Sequence, residues 1–494
     1  MKLNKWVIVL LVAILAAPLF GGGGRAPAQS GDPNQPFEMT FFAECYLPEP
    51  PSPDLEVFQI IQRETNTKLI MTWMTDTNTK INTTIASGSD MPMVMFVPNP
   101  RQFNIVSAAE AGIFWDLGKY IEMFPEVKAL YDPVRSANVK ILGKDYGIVR
   151  KRPTTQYSVI YRRDWLDNLG MKPPETVDQL FEMWRAFTED DPDKNGQKDT
   201  FGLVMRENLQ YYQFITLLYG APNGWKFENG KMVPEFMTEE FFKGLDVFRE
   251  AYARGFINND FPVVKGAQLR DMINNGRGGS YIGQNPDAAS QHEALYKLEP
   301  NAKIDLTDCL TGPGGKKTIA DPGVQGQYMV TTRAVRDEAT LLRVMNYFEK
   351  INSPPLQDLL RWGLEGKHHR IQDGKPTRPS EWNDAFIREV NVLRALKQHY
   401  DEKARDGIMD YAYQRGRDLS VFNEPFGVGD PSYPLMSQTF VERGSELSTM
   451  IVDAVVKYVM GEINRAGFET IIRQWNSQGG QRLIDEYTAA YNKK

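Results

Sequence analysis

Residues 191–199 read Asp-Pro-Asp-Lys-Asn-Gly-Gln-Lys-Asp, which places oxygen-bearing side chains at loop positions 1, 3, 5 and 9 and glycine at position 6. This pattern can cage a hard cation. Calcium takes about six to eight oxygens at roughly 2.4 Å, and alternate spacing lets a curling loop turn its carboxylates inward. Asp191, Asp193, Asn195 and Asp199 would supply side-chain oxygens, Gln197 a backbone carbonyl, and Gly196 the sharp turn. Position 12 is Gly202 rather than a bidentate Glu, and 201–205 (FGLVM) reads as a strand where a calcium sensor would have its second helix. The expected ion is therefore a structural Ca2+. The competing reading is an Asp/Asn/Gly turn whose side chains cap their own backbone. Further acids at the correct interval favour calcium.

Other chemistry is thinly supported. There is no G-x-S-x-G elbow, H-E-x-x-H helix, Walker loop or paired-cysteine metal motif. Residues 312–317 (GPGGKK) lack the leading glycine and the trailing Ser/Thr of a phosphate loop and read as a surface turn. Four histidines occur, His292, His368, His369 and His399; the adjacent pair is expected to be solvated or to line a cleft, because sequence neighbours point apart. Acids are plentiful, so a glycosidase built on two carboxylates stays open as the enzyme alternative.

Alternating elements position these groups. Residues 37–42, 69–74 and 93–97 read as strands, with a helix capped by Asp54 carrying Leu55, Phe58 and Ile61 on one face and a short helix at 80–87. Such alternation gives parallel strands covered by helices, with ligands beyond their carboxyl ends. Trp73, Asn99 and Arg101 follow strands and are the first binding candidates. Residues 176–187 form an amphipathic helix with a Thr176–Gln179 capping box, and Leu180, Met183, Trp184 and Phe187 face inward. Tyr211 and Trp225 flank a connection before an Asn229-Gly230 hairpin signal, and Tyr281, Gln284 and Asn285 end a small-residue run that allows close backbone approach. A strand at 327–331 precedes a helix capped by Asp337 with Leu341, Met345, Phe348 and Ile351 inward, and Trp362, Glu365 and His368 sit in a Gly-flanked turn at a cleft rim. A C-terminal helix from Ser445 carries Leu447, Met450, Ala454 and Tyr458 on one stripe.

Length bounds the architecture: 494 residues exceed what one core of ~250 to 300 residues holds, so two lobes are expected. The net charge of -6 argues against a nucleic-acid or anionic-membrane partner. Lys2 and Lys5, an apolar run from Trp6 to Phe20 and Ala26-Pro27-Ala28 read as a signal peptide over 1–28. Glycines 21 to 24 stand where a lipid-bearing cysteine would be, so a lipid anchor is unsupported. Cys45 and Cys309 are either paired or two isolated thiols.

The segment 80–92 (KINTTIASGSDMP), the hydrophobic strand after it and 111–117 (AGIFWDL) resemble the extracellular solute-binding proteins of ABC transporters, the family 1 carbohydrate-binding kind. Segments 143–148 (GKDYGI), 161–170 (YRRDWLDNLG), 174–180 (PETVDQL), the acidic loop, 362–366 (WGLEG) and 478–480 (QGG) follow in the family's order. The loop is similar to that of the large oligosaccharide-binding members, which include alginate-binding and LplA-like proteins. Met93 stands where the family has Asp, and Thr200 where related loops have Glu.

The resemblance implies an α/β, two-lobe periplasmic-binding-protein type II fold with a multi-strand hinge and the ligand cleft between lobes. The N-terminal lobe is expected at 29–150 plus 320–375, and the C-terminal lobe at 151–319 plus 376–494, with crossings near 149–153, 316–324 and 374–379. It also implies a monomeric, non-catalytic receptor, exported to the periplasm or cell surface, that passes an oligosaccharide to the membrane permease subunits of an ABC importer. The alternatives are a polysaccharide-acting glycosidase or lyase and a sugar sensor or adhesin without a transporter.

Overall fold

Apolar residues at alternate positions drive the first strand: Phe37, Met39 and Phe41 are buried while Glu38 stays exposed. The computed structural model of the protein describes residues 35–45, 49–400 and 402–493. In chain order the strands used below are β1 (Phe37–Glu44), β2 (Thr67–Met74), β3 (Val94–Val97), β4 (Gly147–Lys151), β5 (Tyr157–Arg162), β6 (Trp225–Glu228), β7 (Lys231–Pro234), β8 (Ser280–Gln284) and β9 (Ile304–Leu306). They continue with the short β10 (Thr311–Gly312), β11 (Gly315–Lys316) and β12 (Thr318–Ile319), and with β13 (Val324–Val330).

Two sheets organise these strands. The first runs β2-β1-β3-β13-β4 and the second β8-β5-β9. In the first, β1 is parallel to β2 and β3, as the strand–helix alternation predicts. β13, which matches the strand read at 327–331, pairs antiparallel to both β3 and β4. It returns from the second sheet through 307–323 and so enters from the opposite direction. A bulge between Val324 and Gln327 shifts its register against β4, and Gly326 occupies it with φ +83°, where a Cβ would meet the Val97 carbonyl oxygen at 2.6 Å.

The helices obey their caps. Thr77–Ser87 starts on Asp76, whose carboxylate accepts from the Thr79 N–H at 3.1 Å, and ends at Gly88 in the left-handed region. Glu338–Ile351 starts on Asp337 and buries Leu341, Met345, Phe348 and Ile351 as predicted, and Val177–Glu189 carries the Thr176–Gln179 capping box. Asp54 does not cap: helix Glu56–Thr65 starts one residue later, on Leu55, without a side-chain cap. The predicted strand at 201–205 consists of two isolated bridges, Phe201 to Gly278 and Leu203 to Ile257, because the segment threads between two different partners. Helix Gln438–Val459 buries Leu447, Ala454 and Tyr458 on its predicted stripe.

Separate cores form on the two sheets. Phe41, Phe96, Tyr328, Tyr347 and Phe348 nest in the first. Trp184, Phe187, Phe241 and Phe248 pack in the largest cluster of the second, with Trp184 stacked on Phe248 at 6.3 Å. Val390, Val392, Leu393 and Leu396 belong to the first core, beyond residue 375, and Lys151 N–H donates to the Gln398 carbonyl at 2.8 Å. The start of the expected third crossing at 374–379 is instead part of a local hairpin, Arg370–Gln372 with Lys375–Thr377, turned at Asp373–Gly374 with both residues at positive φ. The chain rejoins the second sheet's side by Ala412 and Leu419, which pack with Ile160 and Ile304.

Among the described residues no disulfide joins the two cysteines: Cys309 is buried, and Cys45 Sγ lies 3.8 Å from the Glu49 carbonyl. No described helix is long and apolar enough to cross a membrane. The signal-peptide reading, 1–28, lies outside the described residues.

Candidate functional site

Where the sheets meet, short connections bring aromatic rings and carboxylates together. Asp321, between β12 and β13, accepts from Gln156 Nε2 at 2.9 Å and from the Tyr157 hydroxyl at 2.8 Å, and burial holds its carboxyl above the usual range. The Tyr157 ring lies 4.8 Å from Tyr211, and Gln284 pairs with Tyr157 across the β5–β8 ladder. Tyr211 has φ +67°, next to Asn208 at +68° and Leu209 at +43°. Three non-glycine residues in the left-handed region within four positions store backbone strain, which marks functional segments more than packing ones.

A second group abuts the first. Asp430 accepts from the Ser432 N–H at 2.8 Å, and burial pushes it up to about 6. Glu235 is buried completely enough to rise to about 7, despite accepting from the Tyr212 hydroxyl at 2.5 Å, the Gln213 amide at 3.2 Å and the Gly224 N–H at 3.2 Å. Gly224, at φ +70°, is wedged between these acids: a Cβ there would lie 2.7 Å from Asp430 Oδ2. Trp225 follows it and packs edge-on against Tyr487 at 5.1 Å. Arg101 reaches this group from the loop after β3, its guanidinium 4.9 Å from the centre of the Tyr433 ring. Flat faces beside carboxylates and amides are what a hydroxyl-rich ring needs: stacking surface and hydrogen-bond acceptors.

Of the sequence candidates, Arg101, Tyr211, Trp225 and Gln284 are brought together here. The others are placed elsewhere. Trp73 sits half-buried in a cavity of about 210 Å³ with Pro50, Pro53 and Leu393. Asn99 is exposed and accepts from the Arg101 N–H. Tyr281 alternates on β8 into the core with Ile160 and Ile273, and Asn285 is fully buried, donating to the Gly416 carbonyl and the Ser420 hydroxyl. Trp362 is fully buried and donates to the Arg405 carbonyl, while Glu365 is exposed on the following turn. His368 and His369 correct the solvated or cleft-lining expectation: both are buried and pushed down by burial, because Gly363 and Gly366, both at positive φ, fold the turn beneath Trp362.

Sequence reasoning did not single out Tyr157, Asp321, Asp430, Tyr433 or Tyr487. The available signal was local: Asp321-Pro322-Gly323 and Gly429-Asp430-Pro431-Ser432-Tyr433-Pro434 are acids in Pro/Gly connections beside strand ends.

The acidic loop combines both of its readings. Asp191 accepts from the Asn195 and Gly196 N–H groups at 3.0 and 3.1 Å, and Asn195 Oδ1 accepts from the Gln197 N–H at 2.7 Å, as self-capping turns do. Asn195 Nδ2 also lies 2.8 Å from Asp193 and 3.4 Å from Asp199, so the acids face one another around Asn195. Burial, followed by the neighbouring Asp199 and Asp191 charges, pushes Asp193 up. Among the described residues no group of three or more His, Cys, Asp or Glu is arranged to hold a metal. The all-oxygen donor set nevertheless suits a hard cation in chemistry.

Comparison with known proteins places this geometry. The family model for the bacterial extracellular solute-binding protein matches residues 62–348. The polygalacturonan/rhamnogalacturonan-binding protein YtcQ of Bacillus subtilis is 32% identical over 505 aligned positions, covering 99% of each chain. Among solved structures, alginate-binding protein AlgQ2 without calcium ion superposes with a TM-score of 0.69 at 20% identity, over 93% of this chain and 98% of that one. The ABC-transporter substrate-binding protein FusA of Streptococcus pneumoniae, as an EF-hand mutant in complex with fructo-nystose, superposes at 0.66 with 15% identity, over 92% and 99%. The aromatic and acidic connections between the two sheets thus lie in a two-lobe α/β fold of the periplasmic-binding type, and the chain belongs to the bacterial extracellular solute-binding proteins.

Proposed function

We propose that this protein captures an oligosaccharide between its two lobes and delivers it to the permease subunits of an ABC importer, without chemical change to the sugar. The observation that carries this reading is the meeting of Tyr157, Tyr211, Asp321 and Tyr433 at the segments that pass between the sheets. Ring faces would cover sugar carbons, while Asp321, Asp430 and Gln284 bond hydroxyls. Closure of the lobes would then exclude water from those bonds. Its relatives support the ligand class: YtcQ is a polygalacturonan/rhamnogalacturonan-binding protein, and the FusA structure holds fructo-nystose. Arg101, Tyr211, Trp225 and Gln284 are the sequence candidates retained as ligand-proximal. Export to the cell exterior and a monomeric state complete the proposal.

We also assign the loop of Asp191, Asp193, Asn195, Gln197 and Asp199 to a structural Ca2+. The ion would neutralise acids that crowd one another, and the calcium-related AlgQ2 and EF-hand FusA structures support the assignment.

A glycan-cleaving enzyme would draw on Glu235 and Asp430, the two acids raised furthest toward neutrality. Glu235 argues against it: the residue is 5% exposed and already accepts from three donors. Titration calorimetry with oligogalacturonides, fructo-oligosaccharides and neutral galactans tests the proposal, with reducing ends assayed in the same samples. Saturable heat with no new reducing ends is expected. Release of reducing ends, or no heat with any member of the panel, overturns it.

A further inference from the structure

The segment 429–437 leaves Gly427–Val428, which pairs with β12, and ends at Ser437, the cap of helix Gln438–Val459. Its two ends are anchored differently from its middle. The Leu435 side chain lies in the second core, and the Ser437 hydroxyl donates to Glu486 at 2.6 Å. Met436, between them, packs instead on the first lobe's smaller cluster, which holds Val97, Ile105 and Met329. Arg101 comes from that same first lobe and fastens the strap: Nη2 donates to the Leu435 carbonyl at 2.7 Å, lies 3.9 Å from Met436 Sδ, and the guanidinium covers the Tyr433 ring. Pro431 and Pro434 stiffen the path between Asp430 and Leu435.

Moving the lobes apart would break the Arg101–Leu435 bond, lift the guanidinium from Tyr433 and strip Met436 of its apolar neighbours together. A charged donor bonded to the carbonyl of the buried Leu435 and a cation over the half-buried Tyr433 ring are both contacts that water replaces poorly. They form only when the lobes are near each other. We propose that Arg101 is a positioning residue, a clasp that holds the lobes closed through the 429–437 strap, rather than a group that binds an acid on the ligand. The inference rests on the capture reading above, and it reassigns Arg101 from ligand contact to closure.

Small-angle scattering of the sugar-free full chain compares wild type with Arg101→Ala and Met436→Ser, variants whose folding is checked by circular dichroism. Both are expected to show a larger radius of gyration, with Arg101→Lys in between. Calorimetry then follows trigalacturonic acid and the uncharged trisaccharide kestose. Losing the clasp lowers the closed fraction, so affinity for whichever sugars bind is expected to fall by one common factor of about fivefold to tenfold. The clasp is overturned if the radius is unchanged in both variants, or if Arg101→Ala loses acidic sugar selectively while kestose binding persists. If neither sugar binds wild type, the same comparison is made with whichever member of the wider panel does bind; binding by none of them sinks the capture reading, and the scattering still decides the clasp.

Discussion

Glu235 shows how a single side chain can tie stability to pH. Its carboxyl rises from an ordinary 4.5 to about 7 because burial penalises the charge more than its three donors favour it. Below pH 4.5 the folded and unfolded chains both hold the proton. Between 4.5 and about 7 the folded chain keeps a proton that the unfolded chain releases, so stability falls as pH rises through that window and is flat above it. The contribution is on the order of 3 kcal/mol. Urea unfolding from pH 4.5 to 8 should therefore show a shallower pH slope in Glu235→Gln than in wild type, and an identical slope would remove Glu235 as the source. Glu235 was not legible as special in the sequence. Its burial comes from Tyr212, which reaches it from an earlier segment, and from the Gly224 turn, which the β6–β7 hairpin brings beside it.

Elements were more legible than the residues they carry. Caps at Thr176 and Asp337 act within three or four residues, so the local sequence specifies them, whereas Asp54 reads as a cap without being one and Asp76 is a cap that the sequence reading misses. The Asp373–Gly374 turn shows the limit, since a turn signal tells where the chain bends and not whether it then changes lobe. Trp362 fails for a related reason: a Gly-flanked aromatic reads as a rim, whereas the distant 405–407 segment covers the ring, with Nε1 donating to the Arg405 carbonyl and Gly407 lying against its six-membered ring. The acidic loop belongs to this scale, because it joins helix Val177–Glu189 to the 201–205 segment that spans Gly278 and Ile257. An ion bound only by the folded loop at ~100 times its Kd adds about 2.7 kcal/mol, which is a Tm shift of a few degrees for a large domain. A chelator should thus lower the Tm of wild type and leave Asp193→Asn and Asp199→Asn unmoved by calcium. Equal chelator sensitivity in all three would place the ion elsewhere.

At the scale of the whole molecule, chain order and spatial order diverge. β13 is inserted between β3 and β4, although it follows β4 in sequence by the entire second sheet, and Val390–Leu396 closes the same first core later still. The Tyr328 hydroxyl bonds to the Ala395 carbonyl, so two late segments meet inside the lobe that opens the chain. Without β13, both β3 and β4 would expose unpaired ladder groups to water, and Phe41 and Phe96 would lose the Tyr328 ring that packs against them. The first lobe therefore cannot assemble from its contiguous N-terminal stretch. A fragment of residues 29–151 is expected to lack near-ultraviolet circular dichroism and to be cleaved rapidly by protease, whereas the chain from 29 to 494 shows that signal and resists cleavage. A protease-resistant 29–151 fragment would show instead that β1, β2 and β3 suffice as a folding unit. The same interleaving suits capture: the chain passes between the sheets in connections and no strand belongs to both, so the lobes can rotate while each core stays intact, and closure can be driven by a few contacts at the cleft rather than by refolding of either half.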